Sequence, residues 1–162
     1  MEYILLPYMR QDTLLFLFKD DEILLAMKKR GFGAGKYNGV GGKVQEGESV
    51  EFAAVREAQE EILVTVQESD LQKVAELQFS FDQKPGWNIF CHVFTTRVWQ
   101  GEPTESDEMA PQWFALDAIP FEKMWVDDKH WLPHVLAGKT LQGEFYFNSD
   151  GSSILKQQIK II

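Results

Sequence analysis

The sequence predicts an α+β layered domain in which a mixed β-sheet is flanked by two main helices. Short runs of apolar, aromatic and β-branched residues dominate the chain, whereas only two segments have the spacing of a helix. With 162 residues and a hydrophobic content of 44%, the chain can form one core, so residues 1–162 are expected to be a single domain. Strands and helices in this proportion pack as layers.

Two apolar runs near the start of the chain predict a β-hairpin. They cover residues 14–18 and 23–27, and the charged residues 19–22 separate them. A loop follows at residues 31–42 and contains six of the twelve glycines. Because glycine has no side chain, other groups can approach the backbone of this loop closely.

The clearest helix is predicted for residues 49–62. Ser49 is a favourable N-cap, because its side-chain oxygen can accept a hydrogen bond from a free backbone N–H of the first turn. At helical spacing, a small apolar side is formed by Ala53, Ala54, Ala58 and Ile62.

The second half of the chain is predicted to be mostly strand. The alternation of Leu77, Phe79 and Phe81 places apolar side chains on one face of a sheet. The predicted elements are strands at residues 74–81, 88–99 and 113–116, a helix at 129–137, and a closing hairpin of residues 141–147 and 154–161.

Composition excludes several classes of function. The net charge of −9 argues against a nucleic acid polymer or an anionic membrane as partner, since both need a basic surface. Cys91 is the single cysteine, which fits a reducing cytoplasm. Residues 1–10 lack the pattern of a signal peptide, and no apolar run is long enough to span a membrane. A soluble, cytoplasmic monomer is expected.

Three glutamates on the predicted helix form a candidate metal site. Glu57, Glu60 and Glu61 share one face, because residues three and four apart on a helix are neighbours. Carboxylate oxygens suit Mg²⁺ or Mn²⁺ rather than zinc. Arg56, four residues before Glu60, can orient or partly neutralise it. The alternative interpretation is a solvated acidic face.

The preceding glycine loop favours the metal site. Backbone groups around Gly41 and Gly42 are open to a phosphate or a metal. Two familiar phosphate-binding motifs are excluded: Lys43 is followed by Val44 rather than Ser or Thr, and no Gly-x-Gly-x-x-Gly occurs between residues 31 and 47.

The spacing of these residues resembles the Nudix box, Gly-x5-Glu-x7-Arg-Glu-U-x-Glu-Glu-x-Gly-U, where U is a bulky aliphatic residue. The matching positions are Gly42, Glu48, Arg56, Glu57, Glu60 and Glu61. Two positions depart from the box, because Ala58 is smaller than usual and Leu63 replaces the final glycine. The resemblance implies the α/β/α layered Nudix fold.

Within that superfamily, residues 13–154 resemble the vertebrate oxidised purine nucleoside triphosphatases, which are MutT-like enzymes that hydrolyse 8-oxo-dGTP. The match is weakest at residues 67–88. The segments that carry it are residues 27–48, 105–109, 113–114, 119–121 and 124–128.

The resemblance implies a Mg²⁺-dependent enzyme, with Mn²⁺ as the alternative, that converts a nucleoside triphosphate to a monophosphate and pyrophosphate. Glu57, Glu60 or both would be catalytic together with Arg56, one of these glutamates acting as general base. The implied metal ligands are Gly41, Glu57, Glu60, Glu61 and Glu108.

The resemblance also implies a purine pocket. Asn38 would hydrogen-bond to the base edge, Trp125 would stack on the purine, and Lys28 would contact phosphates. Asp127 and Asp128 would share a proton and so accept or donate hydrogen bonds, which suits both oxidised guanine and oxidised adenine. The further implied pocket residues are Thr13, Leu14, Phe32, Phe79, Phe81, Met109 and Phe147.

Each of these residues has a structural alternative. The aromatic and methionine positions suit plain core packing, and the basic residues 28–30 suit a solvated strand end. Asp127 and Asp128 suit the N-cap of the helix at 129–137. At the level of function, the alternatives are a Nudix enzyme for other nucleotides, such as methylated purine nucleotides, unmodified triphosphates or ADP-ribose, and a nucleotide-binding protein without turnover.

Leu63 carries a separate prediction. The family's glycine at this position suits a left-handed helix end, where a residue with a β-carbon costs about 1 kcal/mol. The helix is therefore expected to end differently here, either by running on past Leu63 or by closing without a left-handed residue.

Overall fold

The computed structural model of the protein describes residues 9–162, so the prediction for residues 1–10 concerns a segment that lies almost wholly outside the described part. The elements are β1 (Arg10–Lys19), β2 (Glu22–Lys28), β3 (Tyr37–Asn38), α1 (Val50–Ile62), β4 (Gln72–Phe81), β5 (Ile89–Thr96), β6 (Met109–Ala115), α2 (Asp128–Leu136), β7 (Leu141–Phe147) and β8 (Ile154–Ile161). All the predicted strands and helices are confirmed, and β3, inside the glycine loop, is the one strand that was not predicted.

The described strands form one mixed sheet in the order β3-β2-β1-β5-β4-β7-β8, with β6 on the other edge of β2. The two predicted hairpins, β1–β2 and β7–β8, are antiparallel, whereas β1 runs parallel to β5 and β4 runs parallel to β7. In residues 9–162, no helix is long and apolar enough to cross a membrane.

The side chains of β1 alternate between two hydrophobic clusters on opposite faces of the sheet. Phe16 and Phe18 join the cluster that contains Trp131 of α2, whereas Leu15 and Leu17 join the cluster that contains Ala58 of α1. Because strand side chains point alternately to the two faces, the two helices cover opposite sides. The α/β/α layering is confirmed.

Strands β1 and β2 separate soon after their turn, since they pair only at Phe18–Ile23 and Lys19–Glu22. The glycine loop occupies the resulting gap: Val40 bridges Leu15 of β1. This separation opens the sheet at one end.

Helix α1 begins as predicted but ends differently. The Ser49 hydroxyl accepts a hydrogen bond from the Phe52 N–H at 3.1 Å, which confirms the N-cap. The prediction for Leu63 is wrong, because this residue is left-handed, with φ 63° and ψ 31°. The chain must turn sharply here, since Ile62 and Val64 on either side are both fully buried. The free energy gained by burying both side chains exceeds the steric cost of the left-handed conformation at Leu63.

Replacing Leu63 by glycine is expected to stabilise the protein by up to about 1 kcal/mol, because it removes a β-carbon from a left-handed position. The Leu63 side chain is 48% exposed, so little packing is lost. Urea unfolding of the Leu63→Gly protein measures the effect. Leu155→Gly, at a similarly exposed strand position (52%), is the control and should destabilise.

Candidate active site

A cavity of about 250 Å³ lies at the open end of the sheet, between the glycine loop, β1, β4, β5 and the start of α2. Every residue predicted to bind substrate lines it except Phe81. The lining includes Thr13, Leu14, Lys28, Phe32, Asn38, Phe79, Met109, Trp125, Asp127, Asp128 and Phe147, together with Gly41 and Glu61 from the predicted metal site.

Phe81 lies behind the cavity wall rather than in it. Its ring stacks on Phe147, with centroids 5.1 Å apart and planes 22° apart, and it is 8% exposed. Core packing, the alternative interpretation, describes Phe81 in this structure.

Two buried aspartates form the floor of the cavity. Asp127 accepts a hydrogen bond from the Trp131 indole N–H at 2.8 Å, and it is 4% exposed. Burial raises the pKa of Asp127 to about 6, although this hydrogen bond opposes the shift. Burial first, and then the charge of Asp127, raise the pKa of Asp128 well above its ordinary value. Burial and the closeness of the two carboxyl groups therefore both favour a proton retained by this pair.

The capping interpretation of Asp127 is right about its position but not about its side chain. Asp127 is at the N-cap position of α2, but its side chain makes no capping hydrogen bond and accepts from Trp131 instead. Its neighbour Asp128 is 2% exposed, and its Oδ2 atom has no hydrogen-bond partner among the described residues. A buried polar atom of this kind is costly unless a ligand or water satisfies it.

Two more polar groups in the cavity are available to a ligand. The Thr13 hydroxyl is buried and has no hydrogen-bond partner in residues 9–162. The Asn38 carbonyl oxygen accepts from the Gly39 N–H at 2.9 Å, which orients the side chain. The Asn38 amide NH₂ is then free to donate to a ligand.

The opposite end of the cavity is acidic. The Glu61 carboxylate accepts a hydrogen bond from the Gly41 N–H at 2.7 Å. Burial, and then the charge of Glu57, raise the pKa of Glu61 to about 8 against its ordinary value of 4.5. Burial likewise raises the pKa of Glu57, although Arg56 opposes this shift.

At Gly41 and Gly42 the glycine loop lies too close to its neighbours to carry a side chain. A β-carbon on Gly41 would be 1.9 Å from the Thr13 carbonyl oxygen, and one on Gly42 would be 2.7 Å from Glu57 Oε1. These two glycines therefore bring the backbone of the loop against both β1 and α1.

Arg56 connects the acidic residues of the box. Its guanidinium donates to Glu48 at 2.6 Å, to Glu57 at 3.0 Å and to Glu60 at 3.1 Å. It also donates to the Lys43 carbonyl at 3.1 Å. These contacts raise the pKa of Arg56, chiefly through Glu48. Arg56 thus fastens α1 to the glycine loop.

The five predicted metal ligands are not all brought together. Glu108 pairs with Arg30 at 2.5 Å on the surface, and the Glu60 side chain is 58% exposed. In the described part of the chain, no three His, Cys, Asp or Glu side chains are grouped closely enough to hold a metal ion. The donor set nevertheless fits a divalent cation at Glu61 and Glu57, because a cation would offset the charge that burial disfavours.

Basic residues at the end of β2 divide between two environments. Lys28 lines the cavity, as predicted. Lys29 pairs with Glu105 and Arg30 pairs with Glu108 outside it. The alternative interpretation of these residues as a solvated strand end therefore holds for Lys29 and Arg30 but not for Lys28.

Sequence reasoning missed several lining residues. Arg10 and Asp12 form an ion pair, 2.6 Å apart, in the cavity wall. They lie four and two positions before Leu14, respectively, so strand alternation puts them on the same face as Leu14 and was a usable signal. The other missed lining residues include Gly33, Lys36, Ile89, Cys91 and Trp131.

The fold and this site define a class of protein that binds a small ligand in one cavity. One end of the cavity is acidic and lined by glycine, and the other has aromatic walls and a floor of carboxyl groups. A family model described as the NUDIX domain matches residues 9–135, and the chain belongs to the Nudix family. Members of this family generally use divalent metal ions.

The relatives point in the same direction. The chain is 45% identical over 148 residues to the "Oxidized purine nucleoside triphosphate hydrolase" of Mus musculus, covering 91% of this chain and 92% of that one. It is 48% identical over 135 residues to the protein of the same name from Danio rerio, covering 83% and 85%. A crystal structure of MutT from Bacillus halodurans has a TM-score of 0.82 at 26% identity and covers 94% of this chain and 98% of that chain.

Proposed function

We propose that this protein hydrolyses oxidised purine nucleoside triphosphates, such as 8-oxo-dGTP and 2-oxo-dATP, to the monophosphate and pyrophosphate, and so removes them from the nucleotide pool. Water attacks one phosphorus of the phosphoanhydride, the bond to the leaving phosphate oxygen breaks, and the proton of the water passes to a base. The names of the mouse and zebrafish relatives support this substrate class.

The single observation that carries the proposal is the presence of two chemically different ends in one cavity. Glu61 and Gly41 line the end that suits phosphates with their cation, and Asp127 and Asp128 line the end that suits a base edge. A nucleotide likewise has a charged phosphate end and a base end.

At the acidic end, we propose that Glu57 and Glu61, with Glu60 and the Gly41 carbonyl, hold a divalent cation. A bound cation supplies charge screening for the phosphates and polarises their oxygens. Glu57 is the better candidate for general base, because burial raises its pKa and it lies beside Gly42, whereas Glu60 is exposed. Arg56 positions both glutamates. Lys28 faces the same end and would contact phosphate.

At the other end, we propose that Asp127 accepts a hydrogen bond from the purine while protonated Asp128 donates one. The amide of Asn38 adds a second donor, and Trp125 offers its ring as a stacking surface. Phe32, Phe79, Met109 and Phe147 form the apolar walls.

Three finer points stay predictions: Mg²⁺ rather than Mn²⁺, a monomeric state, and a cytoplasmic location. Glu108 also stays a predicted ligand, and it would have to leave Arg30 to join the cation.

Pyrophosphate release tests the proposal when it is measured for 8-oxo-dGTP, 2-oxo-dATP, dGTP, dATP and ADP-ribose, with Mg²⁺ and with chelator. We expect the two oxidised substrates to have the highest kcat/KM and chelator to abolish turnover. Equal values for dGTP and 8-oxo-dGTP would contradict the proposed substrate class. Tight binding of nucleotides without any turnover would instead support a binding protein.

A further inference from the structure

The turn between β4 and β5 carries a tryptophan that belongs to neither predicted site. Trp87 ends the short helical turn Pro85–Trp87 and does not line the cavity. Its ring lies edge-on to Phe32, with centroids 5.2 Å apart and planes at 71°, and Phe32 does line the cavity. Trp87 therefore touches the cavity wall from outside.

The backbone around Phe32 does little to fix its side chain. The residue is 52% exposed and lies between Gly31 (φ 81°) and Gly33 (φ 87°), two glycines in a backbone region that other residues avoid. A loop of this kind does not restrain a side chain by itself. The ring of Phe32 has a second aromatic neighbour, Trp125, with centroids 5.0 Å apart. The ring of Phe32 thus contacts Trp125, which lines the cavity, and Trp87, which does not.

Trp87 is itself anchored to the core. Its ring lies 5.7 Å from that of Phe81, edge-on at 73°, and Phe81 stacks on the buried Phe147. Lys84 Nζ lies 4.0 Å from the centre of the Trp87 ring, a cation–π distance. A continuous series of ring contacts therefore runs from the core to the mouth of the cavity.

Gly151 lies between Trp125 and Phe81, two rings that this series of contacts connects. A β-carbon there would lie 3.1 Å from the ring of Trp125 and 3.3 Å from the ring of Phe81. Trp125 and Phe81 therefore pack around one glycine, and the aromatic contacts enclose the mouth on this side.

We infer that Trp87 is a positioning residue for purine binding, which holds Phe32 and so keeps the aromatic wall of the cavity closed against the base. The inference deepens the proposed function and rests on it, because it takes a purine as the occupant of this end. Phe32 and Trp125 contact the base, and Trp87 acts through Phe32.

The test compares Trp87→Ala with Trp87→Phe, which keeps an aromatic ring at the position. For Trp87→Ala, KM for 8-oxo-dGTP and Kd for 8-oxo-dGMP should each rise about two- to tenfold, the range expected for one aromatic pair, while kcat stays unchanged. Trp87→Phe should recover most of the loss. The matched control is Trp99→Ala, because Trp99 stacks on Trp113 at 5.8 Å in the cluster on the α1 face.

Each outcome has one meaning. Unchanged KM and Kd in Trp87→Ala would overturn the positioning role, as would a loss that Trp99→Ala reproduces. A fall in kcat with a lowered unfolding midpoint would also overturn it, since that indicates general destabilisation. If the wild type binds 8-oxo-dGMP without hydrolysing 8-oxo-dGTP and Trp87→Ala weakens binding, the proposed function fails and the positioning role stands. If the wild type neither binds nor hydrolyses oxidised purines, both fail.

Discussion

Replacing Glu61 by glutamine is expected to lower kcat by about a hundredfold or more without reducing the stability of the fold. The amide keeps the size of the side chain, and its oxygen can still accept the hydrogen bond from the Gly41 N–H. It cannot supply the negative charge that a divalent cation needs, and each 1.36 kcal/mol of lost transition-state stabilisation costs a factor of ten. The loss should therefore fall on the chemical step.

The effect on stability has a sign that depends on pH. Burial raises the pKa of Glu61 to about 8 in the folded protein, whereas 4.5 is the ordinary value that applies when the chain unfolds. Between these values the folded state binds more protons than the unfolded state, so the free energy of unfolding falls as pH rises from about 4.5 to 8. In chelator, the wild type should lose stability across this window, and Glu61→Gln should lose less.

Thermal unfolding in chelator at pH 5, 6.5 and 8 measures this difference, and pyrophosphate release measures the rate. Glu68→Gln is the control, because Glu68 is exposed on the short turn Glu68–Asp70. Adding Mg²⁺ at pH 8 should restore stability to the wild type more than to Glu61→Gln, since the cation takes the place of the proton. Full activity in Glu61→Gln would remove Glu61 from the metal site.

The sequence predicts the helix that carries the acidic residues, but it does not predict the environment of each carboxylate. Helical spacing places Glu57, Glu60 and Glu61 on adjacent parts of one surface. It does not say that Glu61 enters the cavity while Glu60 stays 58% exposed beside Arg56. That difference depends on where the glycine loop crosses α1, which is a contact between segments far apart in the sequence.

Glycine positions show the same limit. The density of glycine at residues 31–42 indicates a close approach, but the partner is visible only in three dimensions. Gly41 must be glycine because of the Thr13 carbonyl, a residue in another strand. At Leu63 the steric rule against a β-carbon in the left-handed region gave the wrong prediction, because the burial of Ile62 and Val64 determined the backbone conformation.

Replacing Asp127 by asparagine is expected to change the choice between substrates rather than the phosphate chemistry. At neutral pH Asp127 is mostly ionised and accepts hydrogen bonds, whereas asparagine would keep its oxygen on the Trp131 N–H and present its NH₂ to the cavity. Guanine has a carbonyl at position 6, and adenine has an amino group there. A donor in place of an acceptor therefore favours guanine.

We compare kcat/KM for 8-oxo-dGTP with kcat/KM for 2-oxo-dATP. In Asp127→Asn this ratio should rise about tenfold or more, because one hydrogen bond to the guanine edge is gained and one to the adenine edge is lost. Asp117→Asn, an exposed aspartate that does not line the cavity, is the control for removal of one negative charge. The unfolding midpoint of both variants shows whether the buried replacement is tolerated.

The pH dependence of the wild type provides an independent check. Since burial raises the pKa of Asp127 to about 6, lowering the pH through 6 protonates it and turns an acceptor into a donor. The substrate ratio of the wild type should then move toward guanine, in the same direction as in Asp127→Asn. In the variant the ratio should change less between pH 5 and 7.5, because one of the two titrating carboxyl groups is gone. A ratio that titrates equally in both proteins would assign the effect to another group and remove Asp127 from base recognition.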